Sequence, residues 1–200
     1  MRRITPVFAL LIIAMPILAH SAQPLDVLQG HVDQVIDILQ NSQHEEAAQD
    51  DPQREKIWEI IRKAFDFEEM AKRALARDWR NFTQQQREKF SSAFAEFLGN
   101  TYLDKIQKGY RDEKVIYLAQ EMIADSKALV KTKILRAGGE IPVVYSMQKQ
   151  NGTWRIYDVN IEGVSLVNNY RAQFGKILSK ESPDHLIEML KKKIEKQEKR

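Results

Sequence analysis

The feature that most limits the fold of this chain is a change of hydrophobic period near its middle. Up to Gly109 the apolar residues recur at helical spacing. From Lys114 to Ile161 they alternate, with breaks at Asp125-Ser126, Gly138-Gly139 and Asn151-Gly152. Alternation with short polar breaks marks strands joined by hairpins. Gly138-Gly139 and Asn151-Gly152 suit two-residue turns, because both central positions tolerate positive φ. The expected strands are 114–123, 127–136, 141–150 and 153–161, a four-stranded antiparallel meander.

Turn positions fix register, and register decides which side chains share a face. A turn at 151–152 sets Lys149 opposite Trp154, Met147 opposite Ile156 and Tyr145 opposite Asp158. A turn at 138–139 sets Ile134 opposite Val143, Thr132 opposite Tyr145 and Val130 opposite Met147. The two hairpins independently gather Val130, Ile134, Val143, Tyr145, Met147, Trp154 and Ile156 on one face. Lys131, Lys133, Ser146, Gln148 and Arg155 fall on the other. One apolar and one wet face is the pattern of a sheet covered by helices on a single side.

The helical segments flank the sheet. Leu25, Leu28, Val32, Val35, Ile36 and Leu39 form an opening amphipathic helix, followed by a polar stretch at 43–52 that reads as a loop. Ile57, Ile61 and Phe65 mark a second helix. Asp66 is then an N-cap with Glu69 at the third position, and Phe65 and Met70 can staple across it. Thr83 and Gln86 form a capping box for the next helix, whose face carries Phe90, Phe94, Phe97 and Leu98 before Gly109 ends it. After Gly163, the residues Val164, Leu166, Val167, Tyr170, Phe174, Ile177 and Leu178 resume helical spacing. Pro183 breaks this, and Asp184 begins a last helix. The fold class is α+β: a helical N-terminal half on the meander, then C-terminal helices.

Residues 1–22 have the form of a cleaved signal peptide, with Arg2 and Arg3 ahead of a short apolar run and small residues at Ala19, Ser21 and Ala22. Residues 23–200 then make one domain, and export places it in the periplasm. The chain has no cysteine, which excludes a disulfide scaffold and thiolate-bound metal. Without Arg2 and Arg3 the balance drops from 31 basic and 28 acidic residues to near neutrality. The basic excess lies in the tail at 190–200, a helix end free to fray, whose cations could attract anionic headgroups. That distribution does not suit nucleic acid. There is no His-Glu-x-x-His pattern, no nucleophile elbow and no phosphate loop. Asp158 is the one candidate catalytic group, since its register places a carboxylate on the apolar face. The alternative for Asp158 is a structural one, with the carboxylate bonding to neighbouring backbone.

One stretch carries a family resemblance. Trp154 to Phe174 runs from strand through Gly163 into helix. Upstream stand Phe65-Asp66-Phe67, Met70, Leu75, Trp79-Arg80, Gln86-Arg87, Phe90, Phe94 and Thr101-Tyr102. In order and spacing these residues resemble the MlaC or toluene-tolerance family of periplasmic phospholipid carriers. The resemblance implies an apolar pocket between sheet and helices that takes the acyl chains of a phospholipid. It implies no cofactor, no metal and no catalytic residue. It also implies a monomeric shuttle between an inner-membrane ABC transporter with an MCE-domain ring and an outer-membrane lipoprotein bound to porin, a system that maintains outer-membrane lipid asymmetry. Placed on the faces above, the expected lipid-binding residues are Phe94, Phe97, Val130, Ile134, Tyr145, Met147, Trp154 and Ile156. The competing reading is an exported cone-shaped α+β enzyme, or a binder of small hydrophobic ligands, that uses Asp158.

Overall fold

The computed structural model describes residues 22–41 and 52–199. The expected signal segment, Ala22 apart, and the polar stretch at 43–52, Pro52 apart, lie outside the described residues. Helix α1 (Pro24–Asn41) carries the predicted stripe, with Leu28 and Leu39 buried. Helix α2 (Pro52–Ala64) runs into Asp66, whose side chain accepts from Glu69 N at 3.0 Å and caps α3 (Phe67–Leu75). Asp66 also donates its backbone N–H to Ile156 O at 2.8 Å, so one residue starts a helix and pins it to the sheet. A 3-10 turn (Ala76–Asn81) leads to α4 (Gln84–Gly109), which opens on the predicted capping box. There Thr83 Oγ1 accepts from Gln86 N at 3.2 Å and Gln86 Oε1 accepts from Thr83 N at 2.9 Å. Helices α5 (Leu166–Leu178) and α6 (Pro183–Glu198) close the chain, each capped by a serine, Ser165 and Ser182. The basic end of the chain continues as helix to Glu198, with Leu190 and Ile194 buried and Gln197 Nε2 donating to Thr101 Oγ1 at 2.7 Å.

The sheet is antiparallel, in sequence order β1 (Lys114–Ala124), β2 (Lys127–Arg136), β3 (Gly139–Gln150), β4 (Thr153–Ile161) and β5 (Val164–Ser165). It has five strands where the sequence predicts four. Glu162 and Gly163 both take positive φ, at 51° and 87°, and fold the chain straight back. Val164 and Ser165 therefore pair with Ile161 and Asn160 before the helix starts.

Two register differences follow from turn and bulge geometry. The β2–β3 turn is Ala137-Gly138 rather than Gly138-Gly139, so Ile134 pairs with Ile141, Thr132 with Val143 and Val130 with Tyr145. The shift is two residues, one full strand period, and every side chain keeps its face. The second difference does change faces. Met147 pairs with Ile156 as expected, but Ser146, not Tyr145, pairs with Asp158. Tyr157 is the extra residue of a β-bulge. Beyond it, Asp158 shares the face of Ser146, and Val159 takes the predicted place opposite Tyr145.

The interior divides in two. The first core joins α3, α4, α5 and α6 around Phe90, Phe94, Tyr170 and Phe174, whose rings meet at 5.2–5.7 Å between centroids. The second lies between α1 and the inner sheet face, around Leu28, Val130, Met147, Trp154 and Ile156.

Candidate functional site

Where α1, α2 and α4 stand over the inner face of the sheet, they leave a chamber of about 520 Å³. Its roof is the apolar stripe of α1, with Val32, Val35 and Ile36, joined by Trp58 and Ile61 of α2. From α4 come Leu98, Tyr102 and Ile106, one helical turn apart. The floor alternates along the strands through Val115, Ile134, Val143, Tyr145, Ile156, Val159 and Ile161. Ile106, near the C-terminal end of α4, and Ile161, at the end of β4, are 37% and 38% exposed, so the chamber reaches solvent beside them.

Polar bonds hold α1 over this space without filling it. Tyr117 of β1 donates its hydroxyl to Asp33 Oδ1 at 2.8 Å, and Gln120 Oε1 accepts from Leu25 N at 3.0 Å. Burial, and then the bond to Asp33, push the Tyr117 phenol well above its usual range. Burial likewise pushes Tyr145 in the floor up to about 12, against an opposing hydrogen bond with Thr132. His31 in the roof is lowered from its usual value, by burial first and by the nearby charge of Lys63 second. At neutral pH the lining therefore presents the neutral phenol of Tyr145 and a neutral imidazole at His31. The charged lining residues are Lys105, Glu113 and Arg136.

The structure brings together part of the predicted set. Ile134, Tyr145 and Ile156 line the chamber. Val130, Met147 and Trp154 share their face but are buried in the second core, off the chamber wall. Phe94 and Phe97 belong to the first core, against Tyr170 and Phe174. The phenylalanine stripe of α4 is thus turned towards α5 and α6, and the residues of that helix that reach the chamber come later in the chain. The roof residues of α1 were missed as site residues, although their spacing was plain. Val159 and Ile161 fall outside the predicted set because its register assumes no bulge at Tyr157, although the apolar phase shifts there from Trp154 and Ile156 to Val159 and Ile161.

Asp158 is not in the chamber wall. Its Oδ1 accepts from Val159 N at 2.9 Å and Val167 N at 3.0 Å, and its Oδ2 accepts from the Ser165 hydroxyl at 2.6 Å. Ser165 Oγ in turn accepts from Asn168 N at 3.1 Å. The carboxylate anchors the N-terminus of α5 to β4, which is the structural alternative for this residue. Arg155, expected on the wet face, is also engaged: its Nη2 donates to the carbonyls of Arg62 and Phe65 at 2.8 and 2.6 Å.

A second hollow, of about 680 Å³, lies between α2 and α4. It is larger but charged, lined by Arg54, Glu55, Arg62 and Glu96, and its Arg54 is already paired with Asp104 at 2.6 Å. Trp58, Phe67 and Leu103 border both hollows. Gly99 lets Trp58 lie on α4, since a Cβ there would come within 2.8 Å of the indole. Among the described residues no group of three or more His, Asp or Glu could hold a metal ion. Among them, too, no helix is long and apolar enough to cross a membrane.

A meander sheet, helices raised off its inner face and an apolar chamber between them define an α+β fold of the hollow, cavity-bearing class. The family described as "MlaC protein" matches residues 29–192. The chain belongs to the MlaC family. Among its relatives, it is 26% identical over 114 residues to the intermembrane phospholipid transport system binding protein MlaC of Haemophilus influenzae, covering 54% of this chain and 53% of that protein. The match thus spans about half the length of that relative. It is 22% identical over 181 residues to a toluene tolerance protein of Pseudomonas putida, covering 87% and 82% of the two chains. Its fold is similar to that of a phospholipid-binding protein from Ralstonia solanacearum solved in complex with a phospholipid. The TM-score is 0.75 at 22% identity, over 88% of this chain and 99% of the other.

Proposed function

We propose that this protein is a periplasmic carrier that binds a phospholipid by its acyl chains and shuttles it between membrane complexes. The observation that carries the reading is the apolar chamber of about 520 Å³, inside the range of roughly 300–1,000 Å³ typical of small-molecule sites. An acyl chain in water is costly, at about 0.8 kcal/mol for each CH₂ left unburied. The wall formed by α1 and the sheet replaces water along that chain, while the headgroup stays at the mouth near Ile106 and Ile161. No bond is made or broken, so transfer needs only a second apolar surface brought to that mouth. Membership of the MlaC family, and the relatives named for phospholipid binding and transport, support the cargo. The partners that fit the family are an inner-membrane MCE-domain ABC transporter, whose ATPase would supply the energy, and an outer-membrane lipoprotein–porin complex.

The engagement of Asp158 with the backbone and Ser165 weighs against the enzyme alternative. The test is organic extraction of the purified mature protein followed by mass spectrometry. Phospholipid in near-equal amount to protein is the expected result. A protein that emerges empty, and fails to take up phospholipid from vesicles, would overturn the reading.

A further inference from the structure

The chamber is apolar in depth but not electrically even at its edge. Lys105, near the end of α4, and Arg136, the last residue of β2, both line it and both are exposed. Neither makes an ion pair with a carboxylate among the described residues. The contrast with nearby lysines is sharp. Lys108 pairs with Asp104 at 3.7 Å, Lys131 with Glu121 at 2.9 Å and Lys133 with Glu140 at 2.9 Å. The interaction of Lys105 is with a ring: its ammonium lies 5.2 Å from the centroid of Tyr102, another chamber residue. The acidic group of the lining, Glu113, already accepts a bond from Arg111 N at 2.5 Å. The charged lining thus carries two cations against the one carboxylate of Glu113, a net positive edge beside an apolar wall.

We infer that Lys105 and Arg136 hold the phosphodiester of the lipid at the chamber mouth, so that this carrier selects phosphate-bearing lipids over neutral lipids with the same chains. The inference rests on the carrier reading and adds its headgroup chemistry. Each cation has the donor geometry for the task. A guanidinium can present two parallel N–H groups to two phosphate oxygens, while an ammonium acts as a compact charge that follows the ligand. An anion placed there completes the balance of the rim. A neutral glyceride leaves it as it is and gains only the burial of its chains.

The experiment compares phosphatidylglycerol with diacylglycerol of identical chains. Lipid-free mature protein is offered each from mixed vesicles, for wild type and for a Lys105→Gln/Arg136→Gln double variant. Both side chains are exposed, and a thermal melt of the double variant verifies that it folds as wild type does. Wild type should take up phosphatidylglycerol about tenfold better, the scale of one charge-assisted hydrogen bond. The double variant should lose that preference and take up the two lipids about equally. Equal uptake of both lipids by wild type, or a preference that survives in the double variant, would overturn the inference and leave the carrier reading intact. Failure to take up either lipid would overturn the carrier reading itself. Calorimetry with inorganic phosphate alone separates the two sources of phosphate. It should record no binding where the lipid saturates, and tight binding of the free ion would reassign the site and overturn the inference.

Discussion

Ile134 and Met147 stand on the same face of the same sheet, yet one borders empty space and the other is packed on all sides. That difference predicts opposite phenotypes. Ile134→Asp puts an unpaired charge where a ligand chain would lie, at a wall that already opens to solvent. It should abolish lipid uptake while the protein still unfolds cooperatively. Met147 is 1% exposed, and Met147→Ala should cost about 2–5 kcal/mol of stability as a core truncation, with lipid uptake retained. Urea melts paired with lipid extraction distinguish the two; loss of lipid in Met147→Ala at unchanged stability would contradict the placement. His31 gives a second prediction. Its pKa is lowered in the folded chain, so the unfolded chain binds this proton first as pH falls. The contribution of His31 is therefore undiminished above its ordinary value of 6.5 and is lost progressively as pH drops from there through the folded-state pKa. His31→Gln should flatten the stability curve over that acid window, and denaturant melts across the window would show no change if burial of the imidazole were irrelevant.

Single elements show why some of this architecture is legible in the sequence and some is not. Strand limits follow from period and turn chemistry, and the Asp66 cap and the Thr83–Gln86 capping box follow from local hydrogen bonding, so both can be read directly. A misplaced turn at 138–139 did no harm, because its error of two residues is one strand period. The bulge at Tyr157 is different: one extra residue reverses every face beyond it, and its trace is a shift of apolar phase, from Trp154 and Ile156 to Val159 and Ile161, that a register counted from the turn alone passes over. That residue decides whether Asp158 points at a ligand or at a helix. For α4 the limit is of another kind. A stripe of phenylalanines says that a helix face is buried, but not that its partners are Tyr170 and Phe174 rather than the sheet. The anchor between β4 and α5 is testable. Asp158→Ala removes the acceptor for Val159 N, Val167 N and the Ser165 hydroxyl, and should cost about 1–3 kcal/mol. Lipid content at temperatures where the variant stays folded should not change. Full stability with a loss of bound ligand would instead restore Asp158 as a site residue.

At the scale of the whole molecule, a dense lobe is joined to a hollow one. Around Phe90, Phe94, Tyr170 and Phe174 the helices α3 to α6 bury one another and leave no use for a ligand. Around the chamber, α1 is held by the Tyr117 hydroxyl donating to Asp33, by Leu25 N donating to Gln120 and by Leu28, while Val32, Val35 and Ile36 face the unfilled space. Apolar side chains without neighbours contribute less than packed ones, because both dispersion contacts and burial are incomplete. The hollow lobe should therefore open more readily than the dense one, and a bound chain should stabilise it selectively, since a ligand that binds only the folded state adds stability by mass action. Hydrogen exchange on lipid-free and lipid-loaded protein can measure this. Amides of α1 and of β2 and β3 near Ile134 and Tyr145 should gain protection on loading, whereas those of α4 near Phe94 and of α5 should be protected in both forms. Uniform protection across both lobes, unchanged by lipid, would mean that the chamber is not a site of binding. Protection gained only in α5 and α6 would move the ligand to the other lobe. The two lobes thus divide the work: the filled core of α3 to α6 contributes folding free energy, so that the lobe of α1, α2 and the sheet can remain partly empty and still hold its shape.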